Sequence, residues 1–198
     1  MDTTSPDIKL ELARRQTERS RVFLLWLGIG SMAMTFAGLT SAFIVREGQR
    51  NWFDFSMPSV FWYSTVVLLL SSVLMNFALQ QARKNEGRKA ALFLLGVLGL
   101  AAVFAVLQIS GWKTMIDGGL YFSDRKNVSG SFFYTITWLH FVHLLAGVIT
   151  VIVSAIRAFA GRYSAQNYLG MKLTAYFWHF LDLLWLYLFI FLMVKTSV

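Results

Sequence analysis

No cysteine occurs among the 198 residues, so disulfides, thiolate metal sites and iron–sulfur clusters are excluded. Proline is nearly missing, at two residues, which fits long helices that nothing interrupts. Charge is scarce as well. Asp, Glu, Lys and Arg make up 14% of the chain, against roughly 25% in a soluble domain, so the chain cannot clothe itself for water. There is no glycine-rich phosphate loop, no GxSxG and no pair of carboxylates at glycosidase-like spacing.

What is present is apolar: 57% hydrophobic and 16% aromatic residues, with a mean hydropathy of +0.57. This material lies in five blocks, about 22–45, 59–79, 90–109, 131–158 and 173–194. Each is near the length of about 20 residues needed to cross hydrocarbon about 30 Å thick. The sequence therefore predicts an all-α membrane protein, a bundle of five transmembrane helices. Two regions are expected: a polar, basic segment over 1–21, read as a short surface helix or a tail, and a transmembrane domain over 22–198. The first block is longer than a signal-peptide core and reads as a retained helix.

The net charge of +8 is explained by loops held on one side of a membrane. No basic cluster is interleaved with base-stacking aromatics, so nucleic acid is not expected as a partner. The N-terminal segment and the loops after the second and fourth spans hold twelve Lys and Arg, the opposite side six. The positive-inside rule then predicts a cytoplasmic N-terminus and a periplasmic C-terminus. Trp52, Trp62, Tyr63, Trp112, Tyr121 and Trp138 are expected near the outer interface, with Trp26, Tyr176 and Trp178 near the inner one. Small residues recur every four positions at Ala33, Ala37 and Ser41, and at Ala146, Thr150, Ser154 and Ala158. Such stripes let helix backbones approach closely.

An ionisable group at mid-helix costs roughly 2.5–3.5 kcal/mol in a bilayer, so the exceptions mark candidate sites. They are His140 and His143 in the fourth span, and His179 and Asp182 in the fifth. Each pair is three residues apart and shares a helix face. Asp182 and His143 fall at similar depth on antiparallel neighbours, which makes a contact between them geometrically reasonable. Asn76 and Gln108 add uncharged polar groups, both near helix ends. Three readings stand: imidazoles ligating a haem or metal, proton relay through Asp182, and hydrogen bonds that fix the bundle's register. Five helices do not divide into inverted repeats, which speaks against a transporter.

The run Phe177-Trp178-His179-Phe180-Leu181-Asp182-Leu183-Leu184-Trp185-Leu186-Tyr187-Leu188-Phe189 resembles the final-helix signature of subunit III of haem-copper oxidases. Ser131-Phe132-Phe133 through His140, His143 and Gly147 is similar to that family's penultimate helix. Weaker echoes lie at Leu70-Ser71-Ser72, Gln108, Phe36-Ala37-Gly38 and Ala42-Phe43. The resemblance implies the short, five-helix bacterial form, a non-catalytic core subunit of a respiratory cytochrome c oxidase in the inner membrane. It also implies that this chain holds no haem, copper or other metal itself, that those cofactors sit in partner subunits, and that phospholipid binds. Subunit I is the implied direct partner, with subunit II and other oxidase subunits nearby. Trp178, Phe180, Trp185 and Gly147 are the signature positions, and His140, His143, His179 and Asp182 the buried polar core. Alternatives are the equivalent subunit of a quinol oxidase or nitric-oxide-reductase system, and an independent b-type cytochrome ligated by His140, His143 and His179. One departure is plain. Met32 stands where longer relatives commonly carry a buried glutamate, so any role of that carboxylate is not carried over, and Asp182 is left as the acidic neighbour expected for His143.

Overall fold

The computed structural model describes residues 6–48, 56–122, 128–164 and 167–196. It contains five helices: α1 (Pro6–Glu47), α2 (Val60–Arg83), α3 (Gly87–Asp117), α4 (Val128–Phe159) and α5 (Leu169–Thr196). All five are long and apolar enough to cross a membrane. Every helix outruns its apolar block, because the charged residues that flank a span continue the same backbone hydrogen bonding. The largest difference is α1. Its 42 residues reach about 63 Å, about twice the hydrocarbon thickness. The polar segment is thus a continuation of the first span, held helical by the i,i+4 ion pairs Arg15–Glu11 and Arg14–Glu18. The gap of about 110–130 between the third and fourth apolar blocks is cut into from both sides, since α3 runs to Asp117 and α4 begins at Val128.

Helices α2 to α5 form a ring in which α2 packs on α3, α3 on α4, α4 on α5 and α5 back on α2. Small residues set the closest approaches. A Cβ on Gly111 would lie 2.7 Å from the Phe61 ring, one on Gly147 2.7 Å from Leu181, and one on Gly87 2.9 Å from the Ala158 carbonyl. The turn between α2 and α3 is only three residues long, and Asn85 takes it at φ 62°, a conformation that asparagine tolerates better than most residues.

α1 lies outside this ring, against α4 and α5. It runs parallel to α5 in a constant register. Trp26 meets Tyr176, the Thr40 hydroxyl lies 2.9 Å from Tyr187 Oη, Phe43 sits edge-on to Phe191 and Glu47 pairs with Lys195 at 2.7 Å. The contact face is Ile29, Phe36, Thr40 and Phe43. Ala33, Ala37 and Ser41, expected to be the packing stripe, are exposed instead. Bulky Phe36 and Phe43 fill the groove between α4 and α5, and that turns the small residues outward. On α4 the stripe is split: Ser154 and Ala158 are buried, Ala146 is exposed.

The aromatic belts also divide. Trp26, Trp62, Tyr63, Tyr121, Trp138 and Tyr176 are exposed, whereas Trp52 lies outside the described residues. Trp178 is fully buried, and Trp112 nearly so. Their indole N–H groups find partners inside the bundle, so they serve the core and not the interface.

Candidate polar core of the bundle

The ionisable residues of α4 and α5 do not converge. Contacts along the helices give the register: Trp112 Nε1 donates to Thr137 Oγ1 at 3.2 Å, Trp185 Nε1 to Thr65 Oγ1 at 3.0 Å, and Gln108 Nε2 to Ser64 Oγ at 3.5 Å. These contacts set Ser64, Thr65, Gln108, His140 and Trp185 in one transverse layer. His140 is boxed by Phe104, Trp185 and Phe36, with ring centroids 5.1 Å apart at Trp185 and 6.5 Å at the two phenylalanines. Neither of its ring nitrogens has a hydrogen-bond partner among the described residues, nor does Gln108 Oε1.

His143, one turn along α4, turns to α1. Its ring lies 5.8 Å from Phe36, and its Nδ1–H donates to the Leu139 carbonyl at 2.7 Å. His179 and Asp182 turn the other way, to α2. Asn76 Oδ1 accepts from His179 Nε2 at 3.2 Å, so Nδ1 is the acceptor and Ser72 Oγ–H donates to it at 2.6 Å. The Ser72 hydroxyl also lies beside Asp182, but its one hydrogen is spent on His179. Both carboxyl oxygens of Asp182 are buried and lack a partner within hydrogen-bond geometry among the described residues. The expected Asp182–His143 contact is therefore absent: the two residues occupy opposite sides of α5, one facing α2 and the other α1.

The arrangement is suited to fastening helices. Along the α2–α5 seam, Trp185 bonds to Thr65, Trp178 Nε1 donates to Ser71 Oγ at 3.0 Å, and His179 bridges Ser72 and Asn76. Nothing comparable gathers three ligand side chains around one point among the described residues. The three imidazoles face an aromatic box, the flank of α1 and the side of α2.

Two cavities lie at opposite ends of the bundle. An apolar groove of about 610 Å³ between α3 and α4 is floored by Trp112 stacked on Trp138 at 5.3 Å. A pocket of about 200 Å³ lies between α1 and the turn joining α4 to α5, where Arg21, Arg157 and Arg162 outnumber the one carboxylate, Glu18, beside Tyr163 and Asn167.

A match to the family described as cytochrome c oxidase subunit III covers residues 54–197, the stretch that holds the α2–α5 ring. The chain belongs to the cytochrome c oxidase subunit III family. It is 25% identical to the cytochrome c oxidase subunit 3 of Thermostichus vulcanus, over 89% of this chain and 88% of that protein. It is 28% identical to the cytochrome bo(3) ubiquinol oxidase subunit 3 of Pseudomonas aeruginosa, over 85% of this chain and 81% of that one. The subunit 3 of Glycine max is 28% identical over 64% of the chain. There, as in other plant relatives, the chain spans about half the relative's length, 46%.

Within this subunit III chain the signature positions are spent on the seams. Trp178 and Trp185 bond α5 to α2, and Gly147 admits Leu181 and the Trp178 ring against α4. Phe180 packs partly buried against the core. Sequence reasoning passed over Thr65, the acceptor for Trp185, and named Ser71, Ser72 and Asn76 without joining them to Trp178 and His179. The signal was there, in hydroxyls two turns apart on an otherwise apolar helix.

Proposed function

We propose that this chain is the non-catalytic subunit III of a bacterial respiratory cytochrome c oxidase. It would pack directly on the haem- and copper-bearing subunit I, with subunit II in the same complex, and support proton uptake there. The observation that carries this reading is the use of the signature side chains: the indoles and His179 of α5 are committed to helix seams. A chain built so contributes scaffold, while electrons from cytochrome c reach oxygen in its partners.

Two further parts of the reading rest on position. The basic end of the bundle is assigned to the cytoplasm and the C-terminus to the periplasm, in the bacterial inner membrane that the subunit III reading implies. Phospholipid is assigned to the basic pocket, where Arg21, Arg157 and Arg162 suit a phosphate, and acyl chains to the Trp112–Trp138 groove.

Extraction in mild detergent tests the main reading: a large haem- and copper-containing subunit is expected to co-purify. The chain purified alone is expected to show no Soret band; stoichiometric haem there would establish the b-type cytochrome instead. The likeness to a ubiquinol oxidase subunit favours one second reading, a quinol oxidase. Oxygen uptake by the purified complex with reduced cytochrome c or with quinol separates the two.

A further inference from the structure

Hydrocarbon satisfies the apolar faces of α3 and α4, but it cannot satisfy the outer side of the α2–α5 seam. Asn76 is exposed, His179 and Ser72 are half-buried, and Asp182 lies just beneath them. Asn76 is seven residues from the Arg83 end of α2, hence about 10 Å inside a helix of about 36 Å. A hydrocarbon layer about 30 Å thick, centred on that helix, covers Asn76. Asn76 Oδ1 accepts from His179, which leaves the amide nitrogen without an acceptor among the described residues. Polar groups at this depth are retained where another protein segment or a water-filled cavity meets them. Around the patch stand Val73, Phe77 and Leu183, exposed by 48%, 42% and 65%, an apolar frame around a hydrogen-bonding centre.

We propose that this face, centred on Asn76 and His179, docks a transmembrane helix of the haem-bearing oxidase subunit that supplies a hydrogen-bond acceptor to the Asn76 amide. The inference rests on the subunit III reading and adds to it the face and the chemistry of the contact. Acyl chains offer no acceptor. A small-residue stripe such as that on α1 needs none, so it does not select a partner as this patch does.

Photo-crosslinking in native membranes holding the whole complex is the test. A photoreactive residue at Val73 or Leu183 is expected to capture the haem-bearing subunit, and one at Val106 or Ile149, on the exposed faces of α3 and α4, is not. Capture from Val106 or Ile149 instead, or adducts from Val73 and Leu183 only to lipid or to a second copy of this chain, would overturn the proposal. If no haem-bearing subunit co-purifies with the unmodified chain, the subunit III reading itself fails, a distinct outcome. Asn76→Leu supplies a change of opposite sign. Leucine suits a lipid-facing site, so recovery of the complex would be undiminished if this face met lipid. On the docking proposal, the co-purified fraction falls about threefold, and at most about twentyfold, the range for one interhelical hydrogen bond in a membrane. The level of the variant chain in the membrane shows whether it still folds.

Discussion

His140 shows how a polar residue can be packed in this bundle as an aromatic. Its ring lies flat enough on Trp185, and edge-on to Phe36 and Phe104, to act as a fourth aromatic in the box. Its two nitrogens are buried without partners among the described residues. Replacing such a group by an apolar one of the same shape is close to neutral or stabilising, whereas deleting its volume leaves a cavity. His140→Phe is therefore expected to keep the melting temperature of the detergent-solubilised protein or raise it, and His140→Ala to cost about 3 kcal/mol. Equal losses for both would mean that the nitrogens are in use. The four ionisable residues were legible in the sequence because each is costly in hydrocarbon. The hydroxyls that accept from Gln108, Trp185 and Trp178 were not: Ser64, Thr65 and Ser71 each return a hydrogen bond to a carbonyl of their own helix, which makes hydroxyls cheap in a span and leaves them no strong signal. The direction in which Asp182 turns depends on the rotation of α5 against α2, and spacing within one helix does not contain that.

Among elements, the helix count and order were legible from hydropathy, and the ends were not, since hydropathy sees only the part of a helix that lipid touches. Which small residues lie between helices was equally hidden, because the exposed Ala33–Ala37–Ser41 stripe and the close-packed Gly111 and Gly147 look alike in sequence. Their surroundings now predict an order. A methyl on Gly87 meets a backbone carbonyl of α4 and one on Gly111 meets three atoms of the buried Phe61 ring, so neither neighbour yields easily. Gly147→Ala meets the end of the Leu181 side chain, which can rotate aside, and Gly99→Ala meets nothing within 4 Å. Thermal melts are expected to show Gly87→Ala and Gly111→Ala destabilised by about 1–3 kcal/mol and Gly147→Ala by less. Gly99→Ala should be unchanged or stabilised by up to about 1 kcal/mol from helix propensity. An unaffected Gly111→Ala would mean that α2 and α3 are not seated as described.

Over the whole molecule, the two ends differ in kind. The N-terminal half of α1, the α2–α3 turn and the α4–α5 turn gather at one end, tied by the Arg83 guanidinium over the Tyr168 ring at 5.5 Å and by Gly87 against Ala158. Twelve of the eighteen Lys and Arg lie on the segments of that end. The opposite end carries the Glu47–Lys195 pair and the exposed Tyr121. Charge asymmetry of this kind sets how a helical bundle enters a membrane, and five helices then force the two termini to opposite sides. With no cysteine in the chain, single cysteines report the sides without interference. Gly48→Cys and Tyr121→Cys are expected to react with a membrane-impermeant thiol reagent in intact cells. Gln16→Cys and Ala160→Cys should react only after the membrane is opened, and all four substitutions leave the basic residues in place. Labelling of Gln16→Cys and Ala160→Cys in intact cells would invert the bundle. The basic pocket would then face outward, and the assignment of the chain's polar arm to the cytoplasm would fall with it.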